Sequence, residues 1–139
     1  MQRLLVSLTP LLLLTACETA TPPAPVASAA PATYDTVAKA VFSSCSTRSC
    51  HGAEGKRGGL QLTTDVAYDQ LVGVKAQQEG AAAKGKLRIK AGDPDNSYFL
   101  QKLEAPAAGE GDRMPPRGQA LPPETVALVR RWIAAGCPK

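Results

Sequence analysis

Apolar positions recur with a helical period in four stretches of the chain. Tyr34, Val37, Val41 and Phe42 fall at i, i+3, i+7 and i+8, which predicts an amphipathic helix over residues 35–44 that runs directly into Cys45. Thr64-Asp65 offers a cap for a short helix through Leu71 and Val72. Asp93-Pro94, a cap followed by proline at the first helical position, opens a third helix; its stripe is Tyr98, Phe99 and Leu103 and it ends near Glu104. Pro122-Pro123-Glu124 opens a fourth, bearing Val126, Val129, Trp132 and Ile133, which Gly136 stops and Pro138 cannot continue. Residues 52–59, 73–92 and 105–121 are rich in Gly or Pro and read as loops. No stretch alternates with period two, and no internal repeat is found. The predicted class is mainly α, with loops long for the size of the domain, and such loops usually line a site.

The two ends of the pattern differ from its middle. Residues 1–17 carry a basic Arg3, an apolar run over residues 4–14 and the small pair Thr15-Ala16 before Cys17. The run is too short to span a bilayer and reads as a secretory leader. Leu14-Thr15-Ala16-Cys17 resembles the lipobox of bacterial lipoproteins. That resemblance implies cleavage before Cys17, acylation of its sulfur and its new amine, and stable membrane anchoring by several acyl chains. Glu18 after the cysteine points to the outer membrane by the same resemblance, facing the periplasm. Residues 18–33 are Ala, Pro, Thr, Ser and Val with one charge, too little apolar bulk to order themselves, and read as a semi-stiff tether. Residues 34–139 remain, enough for one small domain with one core.

Composition changes this picture in two respects. The formal net charge of +4, lowered by one when Arg3 leaves with the leader, is dispersed along the chain. No basic run marks a nucleic-acid partner. The aromatic residues of the domain are Tyr34, Phe42, Tyr68, Tyr98, Phe99 and Trp132. That makes a thin core, which a large apolar cofactor at the centre would remedy.

The chemistry concentrates in Cys45-Ser46-Thr47-Arg48-Ser49-Cys50-His51. Two thiols can form thioethers to haem vinyl groups, and the adjacent imidazole, the chain's one histidine, can reach the iron from one side. Four residues separate the cysteines. On a straight helix that spacing places them about 140° apart. Residues 46–49 must therefore leave the helix and loop outward, which Ser and Thr favour through bonds to their own backbone. Met114 is the one methionine left once Met1 is removed with the leader. Its thioether is a soft group suited to low-spin haem iron, on a loop that Pro115 and Pro116 stiffen, and the other reading is a methionine that fills a gap in the core.

The same residues resemble a small monohaem c-type cytochrome domain of the exported bacterial kind. The matching elements are the helix ending in Cys45…Cys50-His51-Gly52, Gly58-Gly59-Leu60-Gln61-Leu62, residues 90–98, Leu103, Arg113-Met114-Pro115, Leu121 and residues 129–136. The resemblance implies a cytochrome c-like helical domain with long loops around one covalent haem c. In it Cys45 and Cys50 are the thioether sites, His51 the proximal ligand and Met114 the distal ligand, and the first and last helices cross at one haem edge. It implies a non-enzymatic electron carrier of the cell envelope whose partners are other envelope redox proteins.

Cys137 keeps alternatives open. With Cys17 acylated and two thioethers made, Cys137 is odd in an oxidising compartment. A disulfide from Cys137 to Cys45 or Cys50 would staple the domain's ends and give a haem-free binding or scaffold lipoprotein of the same fold. A zinc site from Cys45, Cys50, His51 and Cys137 has suitable ligand types at unfamiliar spacing. Asp93, Asp95, Glu110 and Asp112 read as caps and solvated loop residues. Lys84, Lys86, Arg88 and Lys90 read as a solvated segment or a steering surface for an acidic redox partner.

Overall fold

The computed structural model describes residues 31–116 and 118–139. The leader, Cys17 and most of the tether lie outside the described residues. The described chain is mainly helical, and its extended segments pair through isolated bridges. Among the described residues no helix is long and apolar enough to cross a membrane.

The first helical run has three parts: α1 (Tyr34–Val37), a π-helical turn (Ala38–Phe42) and α2 (Ser43–Cys45). Thr33 caps it in a reciprocal arrangement with Thr36. The i→i+5 closure of the π turn carries Val37, Ala38, Val41 and Phe42 all into the core. α3 (Ala67–Leu71) and α4 (Glu79–Ala83) follow, separated from the first run by a single 3₁₀ turn at Arg57–Gly59. α5 (Tyr98–Glu104) and α6 (Pro123–Ala134) complete the set, and both α1 and α5 pack on α6.

Three elements differ from the sequence pattern. The third predicted helix begins at Tyr98, not at residue 94. Asp93 instead accepts from the Asn96 amide at 3.3 Å and from Asn96 Nδ2 at 2.8 Å, closing a turn ahead of the helix. The first amides of α5 then find partners in the chain beside it: Tyr98 N–H donates to Leu87 O at 3.1 Å and Phe99 N–H to Arg88 O at 2.7 Å. The second predicted helix starts at Ala67, because residues 63–66 are spent on turns into Thr63 O. Helix α4 interrupts the loop predicted over 73–92. It is a short Ala-rich turn capped by Gln78 Oε1, with no apolar stripe to announce it.

The segment around residues 86–90 is the spine of the loop side. It exchanges bonds with residues 71–76 through Ile89 N–H to Leu71 O at 3.0 Å, Gly73 N–H to Ile89 O at 2.9 Å and Ala76 N–H to Lys86 O at 2.9 Å. α6 ends as predicted. Gly136 takes φ 85° and Cys137 N–H donates back to Trp132 O at 2.9 Å.

The core sits at the corner where α1 meets α6. Tyr34 lies 5.4 Å from Tyr68 and 6.1 Å from Trp132 between ring centroids, and Phe42 lies 6.2 Å from Phe99. Trp132 is fully buried and its Nε1–H donates to Pro138 O at 2.9 Å. The Tyr34 amide donates to the same carbonyl at 3.0 Å, which ties the start of the domain to its end.

Candidate functional site

α2 delivers Cys45 to the edge of a cleft, and the chain then leaves the helix at Ser46 (φ −84°, ψ 28°). Thr47, Arg48 and Ser49 bulge into solvent. The bulge closes on itself, since His51 N–H donates to Cys45 O at 3.1 Å and Cys50 N–H to Thr47 O at 3.0 Å. Gly52 and Gly55 are required here. A Cβ on Gly52 would lie 2.7 Å from Ser46 O, and one on Gly55 would lie 2.6 Å from both Arg48 O and Cys50 O. The excursion expected from the four-residue spacing is thus built, with glycine backbone packed beneath it.

His51 is fixed from three sides. Its amide is held by Cys45 O, its carbonyl accepts Leu62 N–H at 2.7 Å, and its Nδ1 lies 3.1 Å from Leu60 O. A carbonyl can only accept, so the hydrogen is on Nδ1 and the lone pair of the neutral ring is on Nε2. That is the arrangement in which an imidazole ligates a metal with its orientation set by a second bond.

Cys45, His51 and Met114 line one cleft of about 270 Å³. That is close to the lower end of the range for cofactor sites, about 300–1,000 Å³. Its wall is mainly apolar, with Leu60, Leu62, Leu71, Phe99 and Leu103. Met114 comes from the irregular segment between α5 and α6, and its amide donates to Lys102 O at 2.7 Å. Cys50 is adjacent in sequence but is not part of the cleft wall.

The three thiols of the described chain are free and differ in character. Burial pushes the Cys45 thiol up. Hydrogen bonds from Thr47 and Ser49 pull Cys50 down. Cys137 is buried in the α1–α6 corner, and desolvation pushes its thiol up to about 11. The staple from Cys137 to Cys45 or Cys50 is therefore not formed in this structure. Among the described residues no three His, Cys, Asp or Glu side chains converge, so the four-residue zinc arrangement is not assembled.

Two buried charges, one of them on the cleft wall, escaped the sequence pattern. Arg88, read as part of a solvated or steering surface, is only 6% exposed and lines the cleft. Its guanidinium donates to Gln70 O at 2.9 Å, Gly58 O at 3.2 Å and Gly59 O at 3.0 Å, and no carboxylate of the described residues pairs with it. Its neighbours in that alternation are engaged as well, Lys84 and Lys86 with Glu110 and Lys90 with Asp93. Glu110, read as a solvated loop residue, is fully buried. The signal that could have found it is Gly109-Glu110-Gly111, a charge between two residues free to turn the chain inward.

Searches against protein-family models, curated proteins and solved structures return no match.

Proposed function

We propose that the domain holds one covalent haem c and carries single electrons in the bacterial envelope, tethered through residues 18–33 to a lipid-modified Cys17. The observation that carries this reading is the convergence of Cys45, His51 and Met114 on one mainly apolar cleft, with His51 Nε2 left free by the bond from Nδ1 to Leu60 O. When bound, the haem supplies the Fe(II)/Fe(III) couple; the residues supply attachment, ligation and exclusion of water. Cys45 and Cys50 would offer thiols for the vinyl groups, and His51 nitrogen and Met114 sulfur would be the residues that hold the iron. The mainly apolar wall would shield such a ring from solvent, and the fit extends to charge. Arg88 places a buried cation without a carboxylate partner on the wall, a match for a ring system whose edge bears carboxylates. No substrate turnover is required of any residue.

The test is the visible spectrum of the reduced, purified lipoprotein, read with intact mass and haem stain after denaturing electrophoresis. Covalent haem adds its whole mass and survives denaturation. His51→Ala should abolish the low-spin spectrum. A colourless wild-type chain from a host competent in haem attachment overturns the reading.

A further inference from the structure

We infer that Glu110, seated between Lys84 and Lys86, is the positioning residue that sets Met114 in the cleft. The segment 105–121 contains no helix among its described residues, so the place of the Met114 sulfur depends on side-chain anchors. Those anchors concentrate four residues before it. The Glu110 carboxylate, with no exposed side-chain surface, accepts from Lys84 Nζ at 2.9 Å and Lys86 Nζ at 2.7 Å. Gly109 (φ 82°) and Gly111 (φ 77°) bracket it, which lets the chain dip inward for one residue and return.

The dip is wired to the cleft through α5. Tyr98 hydroxyl donates to Glu110 O at 2.7 Å. Lys102 Nζ donates to the carbonyls of Glu110 and Asp112, while the Lys102 carbonyl accepts Met114 N–H. Lys102 therefore grips the segment on both sides of Arg113, and Tyr98, Lys102 and Met114 all line the cleft. A neutral amide at position 110 would keep the volume but present an NH₂ donor to one of two ammonium groups, forcing it away. The two cations would then lie beside a site with no counter-charge.

The experiment is hydrogen exchange on the full chain, comparing wild type with Glu110→Gln and with Asp95→Asn, an exposed ion-pair control. We expect the amides of Glu110 and Met114 to exchange at least about tenfold faster in Glu110→Gln, with those of Val129 and Trp132 unchanged and Asp95→Asn silent. Unchanged exchange at Glu110 and Met114 overturns the inference, as does acceleration by the same factor in α6, which would make Glu110 a general support of the fold. Should Glu110→Gln fail to fold, Lys86→Gln and Lys84→Gln each remove one arm. Lys86, less exposed and also bonded to Gln101 at 2.7 Å, should loosen the segment more, and equal silence of both overturns the inference. The statement about ligation rests on the haem reading and has its own readout. In the haem-loaded protein, added imidazole should displace Met114 at roughly tenfold lower concentration in Glu110→Gln. A chain without haem sinks the haem reading alone, because the exchange result still decides the role of Glu110.

Discussion

The two walls of this small domain are held by different physics. The corner where α1 meets α6 is apolar and aromatic: Tyr34, Phe42, Tyr68 and Trp132 pack on one another, and area removed from water stabilises them. A second region, residues 86–90 and 105–114, is held by charged groups, with buried Arg88 on three carbonyls, buried Glu110 on two ammonium groups and half-buried Lys102 on the Met114 segment. The first kind of support is diffuse and tolerates small shifts. The second is directional and fails when one partner goes. A chain with few aromatics thus builds one region by burial and completes another with polar bonds.

The largest break of that contrast is Trp132→Ala. It should lower unfolding free energy by about 3–5 kcal/mol, because a fully buried ring is lost along with the bond to Pro138 O. Denaturant unfolding measures this, and the loss should be global and cooperative. A decrease under about 1 kcal/mol would mean that the corner is not what holds the fold.

Arg88→Met should be smaller and local. The carbonyls of Gln70, Gly58 and Gly59 lose their donor, for a loss of about 1–3 kcal/mol, partly offset because a buried cation goes too. Arg88→Lys should rescue little, since one ammonium cannot serve the fork that the guanidinium fills. Exchange at the Gly59 amide should rise more than exchange in α6. The reverse order would show that the two walls do not fail separately.

This division also explains what was legible in the sequence. The helical period found the first run, α5 and α6, because burial writes a repeating pattern of large apolar residues. The Cys45–His51 element and Met114 were legible by residue type and spacing, and the structure brings Cys45, His51 and Met114 to one cleft while leaving Cys50 outside its wall. Arg88 and Glu110 were misread as solvated. A charge is buried when particular carbonyls or ammonium groups meet it, and those partners lie 18 to 30 positions away for Arg88 and 24 to 26 for Glu110. No local pattern carries that information. The start of α5 was misplaced for a related reason: its first amides are satisfied by Leu87 and Arg88 O, outside the helix's own sequence.

Acid should act on the polar wall first. The Lys86 and Lys84 ammonium groups hold the Glu110 carboxyl below the usual glutamate range, and Tyr98 and Lys102 are the other titratable groups facing it. Because the folded-state value is depressed, this contribution is fully present above the ordinary glutamate pKa, about 4.3, and is lost as pH falls through the lower folded value. Unfolding free energy measured from neutral pH downward should fall below about pH 4–5, and Glu110→Gln should flatten part of that fall. Asp93 is also held down, by Lys90 and Asn96, but its ion pair is more accessible to solvent, so salt should erase its share and leave that of Glu110. An acid profile identical in wild type and Glu110→Gln would remove Glu110 from the account.

The smallest effect sharpens the contrast at single thiols. In chain made without haem attachment, an alkylating reagent at neutral pH should reach Cys50 first, Cys45 next and Cys137 last. The order follows from the thiolate each environment allows. Thr47 and Ser49 favour the Cys50 anion, and burial disfavours that of Cys45. A Cys137 thiol near 11 leaves roughly one thiolate in ten thousand at neutral pH, behind the packed α1–α6 corner. Mass spectrometry of the digested product gives the order, and Cys137 should react only when the corner unfolds. If haem is attached as proposed, Cys45 and Cys50 should both be silent in the native chain, because both sulfurs would then be thioethers. If Cys50 alone reacts there, Cys45 makes the single covalent link, as its place on the cleft wall allows; if both react, sulfur does not hold the ring.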